Sequence, residues 1–333
     1  MDKKILVIGG AMKKIWTVSF IAFGCILLQS FDEPKIELSW QFNISALPEV
    51  APAPEENSIT PEKIELGRHL FFDPILSANN KISCATCHSP GKGFADGRDR
   101  SNGFSEGIKT QRNAPTILNA AFNGIDAEGN LDPKHSPQFY DNRVLSLEEQ
   151  CMGPLLSPDE MKGAALPAED YIESLGQKLM AIKAYRRLFY NAFSDSLVSF
   201  DRITQAIASY ERTLITPNAP FDRYMRGDRQ AMTKEQVKGM EAFISAGCNN
   251  CHSGPMFSDY KLHVLGVEAH PGLAHFDKGD GNYAFRTTTL RNLAFTAPYM
   301  HNGRIESLEE VMDFYAKKEA NIPKSQIRNS LRS

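Results

Sequence analysis

The chain is poor in the features that mark several large protein classes. Only two of its 333 residues are Trp. No hydrophobic run reaches the roughly 18 uncharged residues a spanning helix needs, which excludes a polytopic membrane protein. Charge of neither sign dominates: 37 Lys and Arg face 40 Asp and Glu, a formal net charge of -3. A polybasic nucleic-acid binder and an acidic disordered protein are thereby excluded, and no nucleic-acid partner is expected. Sustained alternation of apolar and polar residues, the mark of half-buried strands, is also missing. Apolar residues make up 42% of the chain, with 20 Phe and 10 Tyr, enough for a sizeable core. The length suits two domains or one large one.

Near the N-terminus, Lys13 and Lys14 precede residues 15–28, a run without charge. A basic segment followed by a short apolar one reads as an export signal or an uncleaved anchor over residues 1–30, with Met12 as an alternative start. Cys25 after Gly24 faintly resembles a lipid-attachment site, although the apolar run continues past it. Residues 31–58, rich in Pro and Glu, read as a linker.

The six cysteines inform by their placement. Cys84-Ala85-Thr86-Cys87-His88 recurs as Cys248-Asn249-Asn250-Cys251-His252. Residues i and i+3 share one face of a helical turn, so two thiols can each add to a vinyl group of a haem. The adjoining His then supplies an imidazole nitrogen to the iron. A four-cysteine zinc site usually separates its pairs by about 15–20 residues. Here Cys84 and Cys248 stand 164 positions apart, and zinc gives no reason for a His after each pair. The pattern predicts two covalently bound haem c groups, held by Cys84, Cys87, Cys248 and Cys251, with His88 and His252 as iron ligands. Export agrees, because c-type haem is attached outside the cytoplasm. Cys151, in an apolar context, reads as a small buried residue.

The halves echo each other elsewhere. Arg112-Asn113-Ala114-Pro115 is matched with Arg291-Asn292-Leu293-Ala294. Tyr140-Asp141-Asn142-Arg143 and His301-Asn302-Gly303-Arg304 each lead to Ser-Leu-Glu-Glu, at Ser146 and Ser307. That tetrapeptide is a capping box, pairing Ser and Glu side chains with free N–H groups at a helix start. The echo predicts two copies of one haem-binding unit. Thr60-Pro61 opens another helix. Thr233 caps one whose stripe is Val237, Met240, Phe243 and Ile244, and residues 170–214 are helix-prone. The expected fold class is all-α.

Taken in order, these motifs resemble the bacterial dihaem cytochrome c peroxidases and the related MauG-type dihaem oxidases. The resemblance runs from about residue 66 to 315. It rests on Leu66-Gly67 to Phe72-Asp73-Pro74, both haem motifs, Arg112-Asn113-Ala114-Pro115-Thr116, Gln150 with Gly153-Pro154 and Glu160-Met161, and Pro298-Tyr299-Met300-His301-Asn302-Gly303. It implies two cytochrome c-like domains whose haems face their interface: a peroxidatic one over 59–215 and an electron-transfer one over 216–333. It further implies reduction of hydrogen peroxide in the periplasm, with electrons from a small cytochrome c or a cupredoxin. Glu160 would be the acid–base group and Gln150 would position peroxide. A MauG-type oxidase acting on a partner protein is the second reading, and a non-enzymatic dihaem electron carrier the third. Peroxidases of this kind are often homodimers, although no dimer motif is legible here.

The sequence also departs from that family. Its members often block the peroxidatic iron with a His from the loop corresponding to 96–112. That loop has no His, and Phe104 stands near the matching place. This predicts a five-coordinate N-terminal haem; His135, in a nearby insertion, reads as a surface residue. Tyr140 replaces the family's Trp between the haems, as an electron relay or as a packed aromatic. The distal ligand of the second haem is expected to be Tyr315, as in MauG-type enzymes, or Met300. Leu308, Val311, Met312 and Tyr315 also form a helical stripe that core packing alone would explain. The resemblance adds a calcium ion held by the Asn113 side chain and the carbonyls of Thr296 and Pro298. After Tyr315 the family normally adds a Gly-rich loop and an apolar closing helix; here a polar tail runs to Ser333, which reads as a missing helix or a truncated chain.

Overall fold

The computed structural model describes residues 43–317, all within one compact unit. The expected signal or anchor and the polar tail lie outside the described residues.

The first helix, α1 (Pro61–Phe72), starts where Thr60 accepts a hydrogen bond from the Lys63 amide and Pro61 fits the first turn. One turn, α2 (Cys84–Cys87), carries the first haem motif. The chain then runs irregularly to α3 (Leu147–Leu156), capped by Ser146. Next come α4 (Ala168–Ala181), α5 (Lys183–Phe193) and α6 (Phe200–Glu211). These three account for the helix-prone stretch. A short α7 (Pro220–Met225) leads to α8 (Lys234–Ser245), whose Thr233 and Gln236 form the expected capping box. The last helix is α9 (Leu308–Lys317). Among the described residues the only sheet is β1 (Leu262–His263) antiparallel to β2 (Phe285–Arg286), with Leu262 opposite Arg286.

The core forms where α1 crosses α6. A Cβ on Gly67 would stand 1.8 Å from the Ala206 carbonyl oxygen, so only glycine allows the backbones this close. Around that crossing Leu66, Leu70, Phe71, Ile203 and Ile207 are fully buried, and the Phe71 and Tyr210 rings lie 5.2 Å apart. Tyr171, Leu175, Leu179 and Phe189 extend the core through α4 and α5.

The segment expected to be a linker is, over its described part, a strap on the body. Ile44 and Leu47 are fully buried; Ile44 bridges to Gly254, and the Leu47 amide donates to Asp222 at 2.8 Å. Asn57 donates to Glu148 at 2.7 Å and to the Gln205 carbonyl at 2.9 Å. Its Pro- and Glu-rich composition hid two apolar anchors and one buried amide.

The internal repeat is visible in the backbone. The bridge Gln138↔Val144 is matched by Tyr299↔Ile305, and Phe139 and Met300 both take positive φ, 61° and 70°. The Arg112/Arg291 pairing needs correction. Asn119 (φ 65°) and Asn292 (φ 62°) each precede a 3-10 turn, and both side chains donate to Thr216 Oγ1. Asn119, not Asn113, is therefore the counterpart of Asn292. The equivalent stretches are Thr116-Ile117-Leu118-Asn119-Ala120-Ala121-Phe122 and Thr289-Leu290-Arg291-Asn292-Leu293-Ala294-Phe295.

Candidate active site

In both haem motifs the spacing does what helix geometry requires. The His88 amide donates to the Cys84 carbonyl at 2.9 Å, and the His252 amide to the Cys248 carbonyl at 2.9 Å. Each imidazole is then held by its other edge. His88 Nδ1 lies 3.0 Å from the carbonyl oxygen of Phe94, and His252 Nδ1 lies 3.0 Å from that of Phe257. A carbonyl can only accept, so Nδ1 carries the proton and Nε2 keeps its lone pair for a metal. Phe94 (φ 56°) and Phe257 (φ 54°) both sit in the left-handed region, a repeated strain that aims each carbonyl back at its histidine. Burial holds both imidazoles below the ordinary His range, favouring the neutral, ligating form. Burial raises the Cys87 thiol to about 11 and pushes Cys84 and Cys251 upward too.

Both motifs open on one cavity of about 1980 Å³. Ordinary ligand pockets span about 300–1,000 Å³. Its wall includes Cys87, His88, Cys248, Cys251 and His252. Among the described residues α8 and α9 bury no side chain fully. The α9 stripe faces the cavity instead, through Leu308, Met312 and Tyr315, which are 39%, 62% and 40% exposed; from α8 only Phe243 of its stripe lines it, beside Gly239 and Ala242. A large flat apolar group would cover those stripes, and a porphyrin fits that description.

Glu160 and Gln150 line the same cavity. Burial raises the Glu160 carboxyl above its usual range, against the pull of Ser157 and Arg143. Its loop is pinned on both sides: the Asp159 carbonyl accepts from the Phe104 amide at 2.7 Å, and the Met161 carbonyl from the Ala78 amide at 2.9 Å. Phe104 is not in the cavity wall. Its ring packs where a Cβ on Gly163 would stand, 2.5 Å away, and it supports the Glu160 loop. His135 is exposed and pairs with Asp132 at 2.6 Å.

Tyr140 is buried in the cavity wall, and its hydroxyl donates to Asn113 Oδ1 at 3.2 Å. Asn113 in turn donates to the Arg98 carbonyl at 2.7 Å. Thr296 and Pro298 line the cavity, and so do both candidate distal ligands, Tyr315 and Met300. Burial raises the Tyr315 phenol, and the thiols of Cys251 and Cys248 add to the effect. Cys151 is buried. The Cys251, Asp259 and His263 ligand atoms lie within 4.8 Å of one another, but His263 Nε2 is already bonded to Asp259 at 2.9 Å.

Several wall residues were given no role by the sequence. Glu211 is 4% exposed, and its Oε2 has no hydrogen-bond partner. Burial raises its carboxyl to about 8, against the pull of Arg212. His301 stacks on Phe285 at 3.7 Å, and burial lowers its imidazole to about 4. Arg286 is half-buried beside Tyr140, its amide donating to the Tyr140 carbonyl at 2.7 Å.

A helical scaffold that turns Cys87, Cys248, Cys251 and two Nε2-presenting histidines toward one apolar cavity defines a c-type haem protein. Residues 61–230 match the family model described as di-haem cytochrome c peroxidase. Methylamine utilization protein MauG of Methylorubrum extorquens is 37% identical over 277 residues, covering 81% of this chain and 73% of its own. Cytochrome c551 peroxidase of Pseudomonas aeruginosa is 36% identical over 265 residues, covering 76% and 71%. A solved MauG-like protein associated with microbial copper homeostasis superposes with a TM-score of 0.69 at 31% identity, covering 83% of this chain and 84% of its own. The chain belongs to the dihaem cytochrome c peroxidase family, whose peroxidase oxidoreductases imply two haem c groups.

Proposed function

We propose that the chain is a periplasmic peroxidase that reduces hydrogen peroxide to water with electrons from a small cytochrome c or a cupredoxin. The observation that carries this reading is the single cavity joining both Cys-x-x-Cys-His turns to Gln150 and Glu160. When bound, haem c supplies an iron that can hold peroxide and exchange single electrons. His88 and His252 would bind the two irons through Nε2, with thioethers at Cys84, Cys87, Cys248 and Cys251. The loop over 96–112 carries no His, which keeps the far side of the first haem open.

The Gln150 amide orients the peroxide. A Glu160 carboxylate oxygen takes the proton from the inner peroxide oxygen and delivers it to the outer one, so that water leaves. One peroxide, two electrons and two protons give two waters. Tyr140 stands between the two halves as an aromatic bridge. Tyr315 or Met300 would hold the second haem on its distal side; a phenolate would lower its potential and a thioether would raise it. Asn113, Thr296 and Pro298 would offer oxygens to a calcium ion. The two-unit division at about residue 215 belongs to the same reading.

A MauG-type oxidation of a partner protein is the second reading, favoured by Tyr315 in the cavity wall. Electron paramagnetic resonance of the diferric protein tests the open site: one high-spin and one low-spin haem are expected. Two low-spin haems would instead indicate an electron carrier. Steady-state peroxide reduction with a reduced cytochrome c then separates peroxidase from partner oxidase.

A further inference from the structure

Four arginines reach the cavity wall, and three have carboxylate partners. Arg112 Nε lies 2.6 Å from Asp277 and its Nη1 2.8 Å from Asp141. Arg143 also reaches Asp141 at 2.8 Å, and Arg291 meets Asp222 at 2.8 Å. Arg286 is different. Its Nη1 donates to the Pro137 carbonyl, while its Nε is buried without a partner. Asp141, whose charge it feels, is already shared by Arg112 and Arg143.

A guanidinium does not shed its proton inside a protein, so neutralisation cannot relieve this burial. A buried unpaired cation is strongly unfavourable, and native structures pair it with an anion. The Nε edge of a guanidinium is a fork that fits a carboxylate with two parallel hydrogen bonds. Hydrogen peroxide is neutral and gives that fork no charge to pair with. Every haem, by contrast, carries two propionates.

We propose that Arg286 clamps a haem propionate, which supplies the counter-ion the protein itself withholds. The β1–β2 pair fixes where the clamp stands, because the Arg286 amide is tied to the Tyr140 carbonyl at 2.7 Å. The propionate edge of one porphyrin is thereby held beside Tyr140, and the neutralised guanidinium no longer opposes oxidation of that ring. The inference rests on the reading of the two Cys-x-x-Cys-His turns as haem sites.

The test uses the holoprotein and its R286Q and R286K variants. Haem per chain, from the pyridine haemochrome, is counted first, so failure of the dihaem reading is seen separately. Resonance Raman spectra then report the propionate-bending bands, and spectroelectrochemistry reports the midpoint potential of each haem. In R286Q one propionate band shifts and the potential of one haem falls, because a lost cation favours the ferric state. R286K keeps most of that potential but not the band position, since lysine lacks the fork. An R286Q protein with two haems, unmoved propionate bands and wild-type potentials would overturn the clamp. Should R286Q fail to accumulate, R286K decides alone: an unshifted band overturns it.

Discussion

The Tyr140 hydroxyl donates to the side-chain carbonyl of Asn113 across 3.2 Å. An amide oxygen is a very weak base and cannot accept the phenol proton. Burial, the largest influence on this phenol, also raises its pKa. Tyr140 therefore keeps its proton, and under the proposed function it would serve as an aromatic ring rather than as a proton donor. Y140F should leave peroxide turnover within about threefold of wild type, because each 1.36 kcal/mol of barrier is tenfold in rate and the ring is retained. A hundredfold loss in Y140F, measured at saturating peroxide, would mean that proton loss is part of the step.

In the proposed mechanism Glu160 would have to be ionised to accept the peroxide proton, and burial raises its pKa above 4.5. Activity should therefore fall as pH drops through a midpoint above the usual Glu value. E160Q should lower turnover by about 10²–10⁴-fold and remove that acid limb. Steady-state rates between pH 4 and 8 check both; an unchanged rate removes Glu160 from the mechanism.

Glu211 gives a stability prediction with the opposite sign to that of a salt-bridged carboxylate. Its pKa rises from 4.5 to about 8 on folding, because burial disfavours the charge. Between these values the folded state binds more protons than the unfolded one, so stability falls as pH rises. The stabilisation is present below pH 4.5 and is lost as pH climbs through about 8. E211Q keeps the shape without the charge. It should flatten this dependence, a difference on the order of a few kcal/mol at pH 8. Urea unfolding of wild type and E211Q at pH 5 and pH 8 measures it; parallel pH dependence in the two proteins refutes it.

G67A drives a methyl into the Ala206 carbonyl at the α1–α6 crossing. The helices must separate, which should cost about 1–3 kcal/mol. A thermal midpoint unchanged from wild type would show that the crossing relaxes freely. Gly91, with nothing within 4 Å of its added Cβ, serves as the tolerant control.

Local chemistry made part of this protein readable in advance. The caps at Thr60, Ser146 and Thr233 work because a hydroxyl and an orphan amide lie within one turn of each other. The stripes of α8 and α9 were legible for the same reason. What they face was not: periodicity marks an apolar side without saying whether protein or porphyrin will cover it. The echo between the halves was legible too, but its register was not. Arg-Asn recurs at Arg112 and Arg291 by coincidence, whereas left-handed Asn119 and Asn292 are the true counterparts.

By itself the sequence determined the chemistry that is local to a few residues: two thiol pairs on single turns, a histidine beside each, and the helix starts around them. Only tertiary structure decided which nitrogen each histidine offers, since Phe94 and Phe257 must first bend their carbonyls back. It also decided that both motifs share one cavity, and that Arg286 Nε and Glu211 Oε2 are left there without a hydrogen-bond partner. The physical reason is that burial and charge pairing depend on residues brought together from distant parts of the chain, as Pro137 and Arg286 are here.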